Sequence, residues 1–354
     1  MLDFLSEYGL FLAKAVTIVV ALLVVIAASA QLAARGRSES EGHIEVKHLN
    51  QELDLMTDTL KQEIVDKTLL KKERKEEKKR EKAEAKARAK QVKKGVDIEK
   101  EHKKRVFVLD FDGDIKASDV EPMREEITAV LTLATEKDEV MVRLESGGGM
   151  VHSYGLAASQ MLRIKDRKIP LVVTVDRVAA SGGYMMACLA DRLIAAPFAV
   201  LGSIGVVAQI PNFHRLLKKN DIDVEMLTAG EYKRTLTMFG ENTDKDREKF
   251  VEDLEDTHEL FKEFVAEHRP QVDIEEVANG EVWFGRRALD KALVDEICTS
   301  DEYLLNACSE ADVYHISYVE KKSIPERFGI SISGAVDRVI LTWLDRIQKN
   351  RYFS

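Results

Sequence analysis

The stretch from Ile169 to Tyr184, IPLVVTVDRVAASGGY, constrains the fold of this chain more than any other. It opens as an apolar, β-branched run of the kind that forms a buried strand. The run ends in Ser181 and two glycines, and the small apolar residues after Tyr184 favour a helix. The pattern predicts a strand, a tight turn and a buried helix, with the Ser181 hydroxyl at the turn. On this stretch alone, a helix-capping serine is the simpler interpretation.

Strand and helix patterns alternate along the region around this stretch. Strands are predicted at 106–111, 140–144, 171–175, 193–194 and 224–227, and helices at 151–164, 213–219 and 244–268. Ser118 is predicted to cap a further helix that runs through Leu131. The alternation predicts βαβ units and a mixed or parallel sheet with helices on its faces. The apolar segment 197–211 is too short to span a membrane, and we expect buried irregular chain beside the site.

An uncharged apolar segment lies near the start of the chain. Ala15 to Ala30 reads AVTIVVALLVVIAASA, and the wider stretch Gly9 to Ala34 adds only Lys14 and Gln31 as interruptions. A spanning helix needs about 20 apolar residues, so this stretch is long enough and predicts a permanent anchor. A cleaved signal peptide is the alternative, because Ala28 to Ala30 resembles a cleavage site; the acidic Asp3 and Glu7 argue against it. Basic residues after the segment weakly favour a cytoplasmic location for the rest of the chain, although long domains are translocated largely regardless of charge.

The segment that follows the predicted anchor is dominated by charged residues. Residues 71–100 contain 14 Lys/Arg and 7 Asp/Glu, a local balance of +7 in a chain whose net charge is −9. This composition predicts a solvated helical or disordered spacer. A basic arm on anionic lipid is an alternative, whereas a nucleic-acid arm lacks interleaved aromatic residues. At the other end of the chain, 330–347 has the pattern of an amphipathic helix.

A serine hydroxyl becomes a useful nucleophile only when a base removes its proton. The eight histidines form no HExxH motif, and no GxSxG surrounds Ser181. His214 is the nearest downstream histidine, but its charged neighbours indicate a surface position. A lysine serves as the base where an apolar pocket disfavours its ammonium form. Lys233, in a loop after the predicted strand 224–227, is the other candidate for the base. A lysine in such a loop is ordinarily exposed.

A glycine-rich turn follows the second predicted strand. Ser146 precedes Gly147, Gly148 and Gly149, and successive glycines allow backbone N–H groups to converge on an anion. One such N–H and that of Gly182 would form an oxyanion hole; a flexible turn is the alternative. The three cysteines lack metal-binding spacing, so we expect neither a metal nor a cofactor.

Five motifs together resemble the S49 signal-peptide peptidase family in its short, membrane-anchored form, over Val106 to Glu296. They are ESGGG at 145–149, DRVAASGGY at 176–184, LGSIGV at 201–206, GEYKRT at 230–235 and WFGRRALDKALVDEI at 283–297. The resemblance implies a ClpP/crotonase-like fold, with the nucleophile on Ser181, the general base on Lys233 and the glycine motif on 147–149. The sequence after the lysine, RTLTMFGENT, differs from the commonest sequence at this place in the family.

Residues and resemblance together define a set of expectations. The fold class is α/β, with a ClpP/crotonase-like peptidase domain at 105–310. An anchor at 1–34 and a charged spacer at 35–104 precede it, and a strand with an amphipathic helix at 311–354 follows it.

The expected activity is that of a serine endopeptidase with a Ser181–Lys233 dyad, an oxyanion hole from Gly148 and Gly182, and Ser203 as an orienting residue. The expected partners are peptide or protein substrates, membrane lipid and further copies of the chain, without nucleic acid. The resemblance implies cleavage of peptides at the membrane, such as signal-peptide remnants. The expected location is a single pass through the bacterial inner membrane with the catalytic domain in the periplasm, although the sequence leaves the side of the membrane open. A crotonase-like acyl-CoA enzyme and a non-catalytic membrane scaffold are the alternatives.

Overall fold

The computed structural model describes residues 42–66 and 103–319 of the 354-residue chain, with scattered positions between 14 and 86. The chain divides into two units, Ile44–Tyr318 and a second composed of 1–43 and 319–354. Nearly all of the predicted anchor, much of the spacer and the predicted helix at 330–347 lie outside the described residues. Within the described part of the chain, no helix is both long and apolar enough to cross a bilayer.

The structure gives bounds for ten strands and nine helices, nearly all of their residues within the Ile44–Tyr318 unit. The strands are β1 (His43–His48), β2 (Arg105–Gly113), β3 (Glu139–Ser146), β4 (Leu171–Val175), β5 (Val178–Ala180), β6 (Arg192–Ala195), β7 (Val200–Gly202), β8 (Val282–Phe284), β9 (Glu296–Ile297) and β10 (Asp312–Val319). The helices are α1 (Leu49–Ile64), α2 (Val120–Leu131), α3 (Val151–Asp166), α4 (Gly182–Ala187), α5 (His214–Lys219), α6 (Asp244–His268), α7 (Ile274–Val277), α8 (Gly285–Asp290) and α9 (Ser300–Glu310).

The strands form one predominantly parallel sheet in the order β1-β10-β2-β3-β4-β6-β9. All pairings from β10 to β9 are parallel, and helices connect most of these strands. A branch leaves the sheet where β5 pairs with β3, and it continues through β7 to the antiparallel β8. This topology confirms the predicted α/β class and fits the expected ClpP/crotonase-like fold. It also places the ends of β3, β5 and β7 next to one another.

Burial on both faces explains why the central strands are almost continuously apolar. Alternate residues of β2 point to opposite faces of the sheet, as the two-residue period of a strand requires. Phe107 and Leu109 enter the main core, which also includes residues of α2, α3 and α4. Val106 and Val108 pack on the opposite face with Leu304 of α9.

Strand β1 belongs to the folded unit although it lies within the stretch expected to be a spacer. Its last residue, His48, stacks on Tyr314 of β10 with ring centroids 4.7 Å apart. The Asn50 side-chain amide donates to the Cys308 carbonyl at 2.8 Å, and its oxygen accepts from the Val313 N–H at 2.8 Å. These contacts fasten the end of β1 and the start of α1 to the edge of the sheet.

Most of the predicted helices and strands are found, but the prediction of a strand at 224–227 is wrong. These residues have no regular structure, and the Leu227 side chain is 92% exposed. Their apolar alternation resembles a strand, yet within the described residues no neighbouring strand pairs with them. They belong to residues 206–240, which we call the arm, and most side chains of the arm are exposed.

Two local expectations also need correction. Ser118 does not cap α2: Asp119 precedes the helix, and the Ser118 hydroxyl donates to the Asp114 carboxylate at 2.8 Å. The segment 197–211 is only partly buried beside the site. It contains β7 in its buried part, whereas Val207 is 90% exposed.

Candidate active site

Ser181 lies in the tight turn between β5 and α4, as the sequence predicts. Its backbone has φ +52° and ψ −120°, a conformation that costs a non-glycine residue about 1–3 kcal/mol. The Ser181 N–H donates to the Gly202 carbonyl at 2.8 Å, and its carbonyl accepts from the Met185 N–H at 3.0 Å. In the described structure the Ser181 side chain makes no helix-capping hydrogen bond, so the capping interpretation is wrong. The strained turn instead fixes the direction of the hydroxyl-bearing side chain.

The glycine turn after β3 approaches Ser181 very closely. Gly148 has φ +84°, and a Cβ at this position would lie 2.7 Å from both the Gly182 nitrogen and the Ser181 Cβ. Only glycine fits there without displacing backbone. The structure therefore brings Ser181, Gly148 and Gly182 together. The Gly182 N–H is the first of α4, so it has no acceptor within that helix.

A buried hydrogen-bonded network holds this glycine turn. The Gly148 N–H donates to the Ser146 Oγ at 3.1 Å, and that oxygen lies 2.5 Å from the Tyr154 hydroxyl. The Tyr154 hydroxyl donates to the Asp114 carbonyl at 2.8 Å, and burial raises the pKa of Tyr154. Because its N–H is already bonded inside the protein, Gly148 could contact an oxyanion only by sharing or releasing that bond.

Ser203 directly follows β7, the strand next to β5, as Ser181 directly follows β5. Strands β5 and β7 are parallel, with Ala180 opposite Gly202, so the two serines follow paired residues. Ser203 also has φ +52°, and its N–H donates to the Glu281 carbonyl at 2.6 Å. Both hydroxyl-bearing residues line one cavity of about 560 Å³. Its lining comprises Gly147, Gly148, Gly149, Val151, Ser181, Ser203, Gly205, Val206, Val207, His258, Asn279 and Gly280.

A small apolar recess of about 20 Å³ opens beside the same serine. Met185 of α4, Val206 and Phe261 of α6 contribute its apolar walls, and Ser181 and Gly182 border it. Such a recess has room for a small apolar group next to the hydroxyl.

Lys233 is exposed in the irregular part of the arm, where its N–H donates to the Gly230 carbonyl at 3.2 Å. Among the described residues that line the Ser181 cavity, Lys233 is absent. Its role as the base therefore stays a prediction. His214, the histidine considered from the sequence, is at the start of α5 in the same arm and is also absent from the described lining.

Helix α6 supplies cavity residues that the sequence analysis did not identify. His258 lines the main cavity, and Thr257 and Phe261 line the recess. The charged sequence of α6 obscured this face, although Phe261 is three residues from His258 and four from Thr257, the spacings that place side chains on one face of a helix. The His258 Nε2 atom is buried and lacks a hydrogen-bond partner in the structure described.

Charged residues occupy a second cleft of about 330 Å³, on the sheet face opposite the main core. Burial acts to raise the pKa of Asp110, but hydrogen bonds from His315 and Arg143 outweigh it and lower the pKa to about 2. Near this network, burial raises the pKa of Glu126 to about 7. Among the described residues, no cluster of three or more His, Cys, Asp or Glu is arranged to hold a metal ion.

Two family models match this chain. The model described as "Peptidase family S49 N-terminal" covers residues 3–161, and the model described as "Peptidase family S49" covers residues 163–314. The chain belongs to peptidase family S49, which confirms the resemblance in the motifs.

Several curated proteins are similar to this chain. A probable protease SohB of Haemophilus influenzae is 50% identical over 92% of each chain. A probable protease SohB of Buchnera aphidicola subsp. Schlechtendalia chinensis is 47% identical over 86% of this chain and 100% of its own. A putative signal peptide peptidase SppA of Enterococcus faecium is 26% identical over 55% of this chain and 57% of its own.

Proposed function

We propose that this protein is a serine endopeptidase in which Ser181 is the nucleophile and Lys233 the general base. The observation that carries the proposal is the position of Ser181. A strained turn holds the residue at the wall of a 560 Å³ cavity, with the Gly148 backbone packed against it. Enzymes that form acyl intermediates need such a fixed hydroxyl beside backbone N–H groups.

The chemistry follows a two-step acyl transfer. The neutral Lys233 amine takes the Ser181 proton while the Oγ forms a bond to the peptide carbonyl carbon. The carbonyl oxygen becomes an oxyanion, which the N–H groups of Gly182 and Gly148 stabilise, the latter after leaving Ser146. The C–N bond then breaks, and the leaving amine takes the proton from the Lys233 ammonium. Water next attacks the acyl-enzyme, gives its proton to the lysine and releases the acid, and the proton returns to Ser181.

We propose that a second copy of the chain delivers Lys233 to the cavity. The lysine is exposed on the arm, and the arm also exposes apolar side chains, among them Val207, Leu227 and Phe239. Exposed apolar surface of this kind typically marks a contact with another protein. In an oligomer, the arm of one copy would bring its lysine to Ser181 of the next copy. Ser203, beside Ser181, would then hydrogen-bond and orient the amine.

The proposed substrates are peptides with small apolar residues, such as signal-peptide remnants. The recess formed by Met185, Val206 and Phe261 supports this choice, because it would accept a small apolar side chain beside Ser181. The apolar segment 15–30 supports a membrane anchor, and we propose a single-pass location in the bacterial inner membrane with the catalytic domain in the periplasm. Membrane lipid would then be a partner of the anchor and of the charged spacer.

The decisive experiment combines labelling with subunit mixing. A fluorophosphonate should label wild-type protein at Ser181, and Ser181→Ala and Lys233→Ala should each abolish peptide turnover with the fold retained. The two inactive variants are then refolded together in equal amounts. If the copies form a closed ring, each active site takes its serine from one copy and its lysine from the next. About one quarter of the sites then receive both intact residues, so about one quarter of the wild-type activity should return. Full turnover by purified Lys233→Ala would refute the dyad. No recovery on mixing would refute delivery by a second copy.

A further inference from the structure

The middle of α6 passes over the proposed active site, and His258 is the residue of this helix that faces the main cavity. Among the described residues that line this cavity, His258 has the only ionisable side chain apart from the serine hydroxyls. Its helix neighbours Thr257 and Phe261 border the recess beside Ser181. The imidazole therefore lies on the wall that a bound peptide would pass.

The state of the ring nitrogen is unusual for a folded protein. The Nε2 atom of His258 is shielded from solvent and has no hydrogen-bond partner within the described structure. A buried polar atom without a partner is costly, and natural structures hold few of them. Functional sites are among the places where proteins keep such an atom, and His258 is the one residue with an unpartnered buried side-chain atom among the described residues that line this cavity.

We propose that His258 is a substrate-binding residue whose imidazole hydrogen-bonds to the backbone of the bound peptide. Every peptide residue offers a carbonyl acceptor and, apart from proline, an N–H donor. A neutral imidazole carries one donor and one acceptor nitrogen, so it can satisfy either group. A peptide lying between the glycine turn at 147–149 and the segment 205–207 would pass along this wall, because both segments line the same cavity as His258. The assignment rests on the proposed function, because it takes peptide as the ligand.

The test uses two substitutions and one control on the same helix. His258→Phe keeps an aromatic ring of similar size and removes both nitrogens, whereas His258→Gln retains a donor and an acceptor. His268→Phe is the matched control, because His268 is also on α6 and packs against Phe264. Binding of a fluorescein-labelled peptide rich in alanine and leucine is measured in the Ser181→Ala background, where turnover is blocked.

We expect His258→Phe to weaken peptide binding about tenfold, as the loss of one hydrogen bond predicts, and His258→Gln to stay within about threefold of the parent. With Ser181 present, KM should rise for His258→Phe with kcat within about twofold, because the contact is made in substrate and transition state alike. Fluorophosphonate labelling of Ser181 should not change. The melting temperature of His258→Phe should not fall, because the change removes an unsatisfied buried nitrogen.

Unchanged peptide affinity in His258→Phe would overturn the assignment. An equal loss of affinity in His258→Phe and His258→Gln with a lower melting temperature would also overturn it, since that result indicates a packing role. Failure of Ser181 to react with fluorophosphonate would refute the proposed nucleophile, and the binding assay would still decide the role of His258.

Discussion

Ser181 and Ser203 directly follow two neighbouring parallel strands, and each has φ +52°. The Ser181 N–H donates to the carbonyl of Gly202, the residue immediately before Ser203. The two turns therefore hold each other in place through the backbone. The hydroxyl-bearing residues stand side by side because their strands, β5 and β7, are paired one residue earlier.

A first prediction separates the hydroxyl of Ser203 from its backbone conformation. Both Ser203→Ala and Ser203→Gly remove the hydroxyl, and each should lower kcat for peptide at least about tenfold if the hydroxyl orients the base. Glycine adopts positive φ freely, so Ser203→Gly should be about 1 kcal/mol more stable than Ser203→Ala in urea unfolding. Equal activity of the wild type and Ser203→Gly would show that the Ser203 hydroxyl has no part in catalysis and that only its backbone conformation is needed.

A second prediction concerns the contact of Gly148 with the Ser181 turn. Gly148→Ala places a methyl group 2.7 Å from the Gly182 nitrogen and the Ser181 Cβ, at a φ of +84°. Peptide turnover should fall by about 100-fold or more, because the backbone at the proposed oxyanion site must shift. Fluorophosphonate labelling of Ser181 should slow in parallel.

The control for this change is Gly155→Ala in α3, where a new methyl group would meet no described atom within 4 Å apart from its chain neighbours and the backbone of its own helix. That variant should retain activity and gain about 0.5–1 kcal/mol of stability from the better helix propensity of alanine. Undiminished turnover by Gly148→Ala would contradict the proposed oxyanion site.

A third prediction concerns the pH dependence of stability through Glu126. This carboxyl is buried, with one oxygen accepting the Tyr318 N–H at 2.7 Å, and burial raises its pKa from 4.5 to about 7. The folded state therefore holds the proton more tightly than the unfolded chain. The stability that Glu126 contributes is fully present below its unfolded pKa of 4.5 and is lost as the pH rises through about 7.

Glu126→Gln should remove this loss. At about pH 8 the variant should unfold with a free energy up to about 3 kcal/mol higher than the wild type, and at about pH 4 the two should agree. The measurement is chemical denaturation across this range. Glu125→Gln is the control, because it makes the same change at an exposed neighbour on α2. If the free energies of unfolding of Glu126→Gln and the wild type differ by the same amount at all pH values, the raised pKa of Glu126 is contradicted.

A fourth prediction concerns the buried ion pair at the end of α6. Arg269 is 1% exposed, and its guanidinium donates to the Asp295 carboxylate at 2.9 Å and to the Ala292 carbonyl at 3.0 Å. The Asp295 side chain is 33% exposed, so water can solvate part of its charge when the arginine is removed. Arg269→Leu should therefore cost about 1.5–3 kcal/mol of unfolding free energy, the usual value for hydrogen bonds between charged groups.

The comparison variant is Arg124→Ala, which breaks an exposed pair with Glu121 and should cost less than about 0.5 kcal/mol. Both free energies are read from urea denaturation. A loss in Arg269→Leu as small as that of the control would show that the buried pair contributes little.

The sequence was informative wherever short-range patterns decide the structure. The apolar run before Ser181 and the two glycines after it predict the turn, because strand burial and glycine geometry are local properties. The helix at 244–268 matches its prediction residue for residue, and Thr243 starts it with a capping box. Strand β1 has no comparable local signal, since its position depends on pairing with β10, more than 260 residues away.

Long-range packing also explains what the sequence could not predict about the site. Apolar and polar residues alternate at 224–227, which predicts a strand, but in the described structure no neighbouring strand pairs with these residues. The prediction failed for that reason. His258 lies in a helix that reads as solvated, and only the docking of α6 over Ser181 brings it to the cavity. Lys233 is exposed in the irregular arm and absent from the described lining of the Ser181 cavity, so its role stays a prediction.

The pairing of β1 with β10 determines where this domain can be shortened. A version starting at Arg105 would expose the outer backbone edge of β10 and remove the Asn50 amide that bonds to the Cys308 carbonyl. Bare strand edges recruit other strands and promote aggregation. Soluble preparations should therefore keep the polypeptide from Gly42 onward, because the few residues before α1 finish the sheet that carries Ser181.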